Sequence, residues 1–214
     1  GGSRILASAI EHSAVLNTCS ALEAQGFQFQ PLPVDAKGLL EPARAEAALT
    51  RDTALLSVML ANHELGTIQP VREIATLAST MGIPVHTDAV QAVGRIPVDV
   101  RKLGVDLLSI SAHKLHGPKG VGALFVRRGL ALPPMLTGGP QEHRLRPGTE
   151  NMPGIVGFGV ACEQAGRLLG ERDHSVRRLR DRLERGILEG IPGTRLNGHP
   201  EKRLPNTLNI GLAG

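Results

Sequence analysis

Strand-like and helix-like segments alternate along this chain, and the alternation predicts an α/β fold: a mostly parallel sheet with helices on both faces. Two further observations point the same way. Ala54 to Leu60 (ALLSVML) is an unbroken apolar run, as expected of a strand buried on both sides of a parallel sheet. Polar groups also gather where such runs end, at Asn62-His63-Glu64, Asp88 and Ser111 to Lys114. That rim is where an open parallel sheet holds its ligands.

The elements follow in order. Residues 14–25 space Val15, Ala21, Leu22 and Ala24 helically, with Gly26 as a stop. Phe27 to Val34 has strand character and ends at Asp35, and residues 41–50 form a short helix with Pro42 in its first turn. After the 54–60 strand come a helix at 71–81, a strand at 83–87 ending at Asp88, and a short helix over 89–93. A strand at 105–110 leads into Ser111-Ala112-His113-Lys114, a Gly/Pro loop (Gly117 to Gly120) and a strand over 121–126. Residues 129–152 are a long Gly- and Pro-rich loop, a length that marks a functional or interfacial segment. Two helices, 153–169 and 173–189, and a strand at 204–210 complete the chain.

Composition narrows the function. Of the 214 residues 41% are hydrophobic and 21% charged, an ordinary globular balance. All four aromatics are Phe, which argues against base-stacking platforms and against a membrane aromatic belt. Arg dominates the 24 basic residues, but many lie in Glu171 to Arg185, alternating with acids at helical spacing. That is a solvated helix face rather than a nucleic-acid stripe. No stretch of the sequence approaches 18 apolar residues and its N-terminus shows no basic-then-apolar pattern, so a cytoplasmic protein without nucleic-acid or membrane partners is the expectation. Cys19 and Cys162 are far apart, in helical patterns among small or apolar residues, and are expected in the core.

The rim residues exclude several chemistries. No HxH or HExxH spacing offers a metal site, Gly117-Pro118-Lys119-Gly120 is not a phosphate-binding Walker loop, and no GxSxG elbow is present. What remains is a lysine beside hydroxyl and imidazole donors, with a carboxylate from a neighbouring strand. That set suits pyridoxal 5'-phosphate: the lysine forms a Schiff base and the aspartate holds the pyridine nitrogen protonated.

Five strings occur in order: Glu11-His12-Ser13-Ala14-Val15, Asn62-His63-Glu64-Leu65-Gly66-Thr67, His86-Thr87-Asp88-Ala89-Val90-Gln91, Ser111 to Gly120 (SAHKLHGPKG) and Arg146-Pro147-Gly148-Thr149-Glu150-Asn151. Together they closely resemble the cysteine desulfurases of the class V aminotransferase family, a group that also contains selenocysteine lyases. The resemblance implies a fold-type I large domain over residues 1–150, shortened at its N-terminus. Residues 151–214 would be linking helices and the start of an α+β small domain. It further implies that Lys114 carries the cofactor and moves the substrate proton, and that His12 stacks on the ring and serves in acid–base chemistry. Asp88 would meet the ring nitrogen, Gln91 the phenolic oxygen, and Ser111 and His113 the phosphate. Thr149 would reach that phosphate from a neighbouring subunit, making the enzyme a homodimer.

Family members commonly have two Asn before the Glu of the second string; here the second is His63, which keeps a hydrogen-bond donor but adds a titratable ring. The family's Gly/Thr phosphate loop, its nucleophilic cysteine and its substrate-carboxylate arginine have no counterpart among these residues. The implied reaction takes sulfur from L-cysteine, leaving L-alanine and a persulfide on that cysteine. Sulfur acceptors and iron–sulfur scaffold proteins are the implied partners. Selenocysteine lyase, another class V activity, a non-catalytic pyridoxal phosphate-binding or scaffold chain, and an Arg-rich nucleic-acid binder are the alternatives weighed.

Overall fold

A computed structural model describes residues 2–213, apart from the side chains of Arg172 and Asp173; these two members of the charged stretch 171–185 therefore lie outside the described residues. The chain runs β1 (Arg4–Ser8), α1 (Ser13–Glu23), β2 (Gln28–Leu32), α2 (Pro42–Ala48), β3 (Thr53–Ser57), α3 (Val71–Ser79), β4 (Val85–Asp88), α4 (Val100–Leu103), β5 (Leu107–Ser111), β6 (Gly122–Val126), α5 (Met152–Gly190), β7 (Thr194–Leu196) and β8 (Ile210–Leu212). A six-stranded sheet has the order β2-β1-β3-β4-β5-β6. Its first five strands pair in parallel and β6 closes the row antiparallel to β5. β7 and β8 form a separate antiparallel pair.

Strand alternation divides the sheet into two faces. On one, Leu6, Leu32, Leu56, Val58, Val85 and Leu108 are buried against α2 and α3. Helix α3 packs there through Val71, Ile74, Ala75 and Ala78, an i, i+3, i+4, i+7 stripe. On the other face Ile5 and Ala7 pack on Cys19 of α1, with Val15, Leu22, Phe27 and Phe29 around them. Helices therefore cover both faces, as the alternation predicts. No described helix is long and apolar enough to cross a membrane.

Four sequence expectations are corrected. The helices expected at 153–169 and 173–189 are one 39-residue helix, α5, because nothing between them breaks it: Gly170 costs only about 1 kcal/mol in a helix interior, and no proline intervenes. Residues 89–93 form turns, not a helix: the Asp88 carboxyl accepts from Val90 N and starts a non-helical bend that ends at Gly94 (φ +76°). Residues 204–209 form no strand, with a turn at Pro205–Asn206; the strand begins only at Ile210. Finally, Arg180 departs from the solvated face expected of its segment: it is buried, donates to Leu204 O at 2.8 Å and pairs with Asp181. Arg178, Arg182 and Arg185 are exposed, as expected of that face.

Candidate active site

The in-register pairs Ser57↔His86 and Asp88↔Ser109 place these polar residues on the face opposite the Leu56–Val58 core, the face that carries α1. The apolar strand residues go to the sealed side, and their alternate neighbours are left to form a polar row. Asp88 is the last residue of β4 and Ser111 the last of β5, so both reach the carboxyl rim together. The loops leaving β1 and β3 bring His12 and His63 to the same rim.

His12 caps α1 and accepts from Ala14 N through Nδ1 at 3.1 Å. Its ring lies 5.2 Å from the His63 ring, edge-on at 68°. Asn62 shapes the turn that carries His63, accepting from Glu64 N and Leu65 N at 3.0 and 2.8 Å. Its amide also donates to Ile10 O at 2.9 Å, tying the two histidine loops together. Ser111 Oγ and His113 Nδ1 lie 2.8 Å apart, within hydrogen-bond distance of each other. Lys114 is half-buried in the 3-10 turn Ala112–Leu115, which ends on left-handed His116 (φ +65°). Gln91 follows Asp88 in the turn, also half-buried. Thr149 lies exposed in the long loop, and none of the hydrogen bonds described joins it to the other site residues. The structure thus gathers His12, His63, Asp88, Gln91, Ser111, His113 and Lys114 at the strand ends, and leaves Thr149 outside that network.

Three contributors were not assigned from sequence. Arg95 donates to Gln91 O at 2.8 Å and to Lys114 O at 3.4 Å, bracing the turns after β4 and β5 against each other. His86 spans its neighbouring strands, with Nδ1 2.8 Å from Ser57 Oγ and Nε2 2.9 Å from Ser109 Oγ. Burial pushes its imidazole below the ordinary range, partly offset by the charge of Asp88. The third is Glu11, buried in the loop before His12, whose carboxyl is pushed up to about 7, chiefly by burial. Glu11 and His86 stand within the ordered strings and Arg95 four residues beyond one, but the partners that give them a role lie on other strands and turns and emerge only with the fold.

Neither cysteine is an activated thiol: burial raises Cys19, with a further push from Glu11, and burial raises Cys162. A cavity of about 840 Å³ lies between the 3-10 turn, α5 and Pro205–Asn206, with Val93, Leu115, Pro118, Ala161 and Leu168 among its lining. Lys114 is the one candidate residue that borders it, so the site is the polar rim and not this largely apolar hollow.

The donor set fits pyridoxal phosphate: a carboxylate, an amine on the next strand's exit turn, a hydroxyl–imidazole pair and an imidazole at the head of a helix. Cysteine desulfurase IscS of Methanosarcina thermophila is 52% identical over 209 residues, covering 98% of this chain and 52% of that protein. A solved NifS-like protein superposes with a TM-score of 0.93 at 42% identity, over 98% of this chain and 57% of its own. Another solved structure, SspA in complex with cysteine, gives a TM-score of 0.86 at 37% identity, over 99% and 59%. The chain spans about half the length of the curated relatives it matches. The class-V aminotransferase family model matches residues 1–214, and the chain belongs to that family.

Proposed function

We propose that the protein of which this chain is part is a cysteine desulfurase that uses pyridoxal phosphate to remove sulfur from L-cysteine, leaving L-alanine. The observation that carries this reading is the delivery of Asp88 and Lys114 by adjacent parallel strands to a rim that also holds His12 and the Ser111–His113 pair. The relatives named cysteine desulfurase support the choice of reaction, and the structure of SspA with cysteine supports the substrate.

When bound, pyridoxal phosphate supplies an electron sink for breaking bonds at the substrate's α- and β-carbons. The residues do the rest. The Lys114 amine holds the cofactor and moves the proton at the substrate's α-carbon. Asp88 would accept a hydrogen bond from the pyridine nitrogen; its carboxyl already accepts from Val90 N at 2.8 Å. His12, with the His63 ring edge-on beside it, would lie against the cofactor's ring, and Gln91 would donate to its phenolic oxygen. Ser111 and His113 bind the phosphate, joined by Thr149 from a second copy in a homodimer. Sulfur leaves to a cysteine other than Cys19 and Cys162, both of which burial holds as thiols. Acceptor and iron–sulfur scaffold proteins then receive it, in the cytoplasm.

The test is direct. The purified protein containing this chain should gain a visible absorption band on addition of pyridoxal phosphate and release alanine from L-cysteine. Lys114→Ala should abolish the band and lower turnover by about 10²–10⁴-fold or more. A wild-type protein that stays colourless would sink the proposal.

A further inference from the structure

The least exposed acid among the described residues lies where the family reading leaves it without a task. Glu11 is 4% exposed, between the end of β1 and the head of α1. Its Oε1 accepts from Ser8 Oγ at 2.7 Å and from Met59 N, just past the end of β3. Its Oε2 is buried without a hydrogen-bond partner among the described residues. The same loop is held by Ala9 N donating to Leu32 O and by Asn62 donating to Ile10 O. The loop that presents His12 is therefore tied to the exits of three strands, and Glu11 supplies the one tie made by a buried ionisable group.

Resting on the pyridoxal phosphate reading above, we propose that Glu11 is a positioning residue of the cofactor site, pinning the His12 loop to the end of β3 through its buried carboxyl. The groups facing it are Asp88 from β4 and the Cys19 thiol from α1; β1 and β3 contribute Ser8 and Met59, which carry no charge. An oxygen buried without a donor is poorly suited to negative charge and well suited to carry a proton. Burial, the largest cause, moves the carboxyl to about 7, against the hydrogen bonds from Ser8 and Met59. As a neutral acid Glu11 keeps both acceptor bonds and spares Asp88 a second negative charge nearby. Ionised, it would place two carboxylates in one half-buried corner.

Two measurements test this, one of them without cofactor. The dissociation constant for pyridoxal phosphate is measured by visible absorption titration at a temperature where circular dichroism shows every variant folded. Glu11→Ala loses both acceptor bonds and should weaken binding about tenfold or more, whereas Glu11→Gln retains an acceptor and should stay within about threefold of wild type. If Glu11→Ala does not fold, Glu11→Asp takes its place: one methylene shorter, it cannot reach both donors and should show the same weakening.

The second measurement is thermal unfolding of the cofactor-free protein against pH. A carboxyl raised in the folded state contributes most below its unfolded value of about 4.5, and that contribution is lost as pH rises to about 7. Wild type should therefore lose ground to Glu11→Gln across that window and run parallel to it above. Unchanged cofactor affinity in a folded Glu11→Ala, or equal weakening in Glu11→Gln and Glu11→Ala, overturns the positioning role. Parallel unfolding curves throughout overturn the neutral acid. A wild type that binds no pyridoxal phosphate overturns the parent reading together with the positioning role, and is told apart because all variants then fail alike.

Discussion

The two faces of the sheet are built from neighbouring residues of the same strands, yet they are different materials. Leu56 and Ser57 are adjacent; one is sealed with Val58, Val85 and Leu108 under α2 and α3, and the other hydrogen-bonds His86 on the opposite side. The sealed face consists mostly of aliphatic groups at or near zero exposure, with Thr87 buried among them and donating to Val58 O. The α1 face carries a row of hydroxyls and an imidazole running from Ser57 through His86 to Ser109, leading to Asp88 at the rim. Stability is concentrated on one side, and the groups that can bind and titrate are on the other. Period-two alternation allows a single strand to serve both purposes.

Substitutions at adjacent positions probe that division. Leu56→Ala removes a side chain with no exposure from the middle of the core and should cost about 2–5 kcal/mol in chemical unfolding, with little effect on cofactor affinity once folded. A loss under about 1 kcal/mol would mean that the sealed face is not the stabilising one. The next largest effect is in pH. His86 is held below 6.5 by burial, so the folded state resists the proton that the unfolded chain accepts. Its contribution is present above about 6.5 and lost as pH falls below it. In cofactor-free protein, wild type should therefore lose melting temperature relative to His86→Gln on going from pH 7 to 5; identical profiles would remove the imidazole from the balance. The trend is opposite in sign to that of Glu11, so the two groups partly offset each other on the acid side.

Smaller effects complete the series. Ser57→Ala removes one partner of His86 and should cost about 1 kcal/mol, several times less than the change next to it at Leu56. Thr149→Ala, in an exposed loop, should leave the melting temperature within the scatter of surface changes, about 0.5 kcal/mol. A larger stability loss there would mean that Thr149 holds structure beyond the phosphate role proposed for it.

The sheet was legible to different degrees at different places. Apolar runs ending in polar residues marked β3, β4, β5 and β6 correctly to within a few residues. β1, Arg4–Ser8, was not anticipated, although Ile5-Leu6-Ala7 ending at Ser8 is an apolar run of the same kind. α4 and β7, of four and three residues, are too short to display a period of their own. In α5 the two expected helices are one: the composition changes from apolar to charged near Gly170, which alters which face is wet without ending a helix. At the site, ordered strings singled out His12, Asp88 and Lys114. Glu11, His86 and Arg95 stayed hidden because Met59 N, the two serine hydroxyls and the Lys114 carbonyl are distant in sequence. What makes these three matter is lateral register.

The turn that carries His63 bears on how the molecule is made. Gly66 (φ +75°) sits hard against Thr207, and Ile68 N and Leu204 N exchange hydrogen bonds with Lys202 O and Gly66 O. His199 N reaches Thr67 Oγ1 across 132 residues of chain. Closing so long a loop adds only slowly to the entropy cost, but contacts of this separation form late in folding. During synthesis β1 to β5 are complete before these partners emerge from the ribosome. The turn beside the second imidazole of the rim therefore gains these outer ties only after the strands that carry the rim have been made.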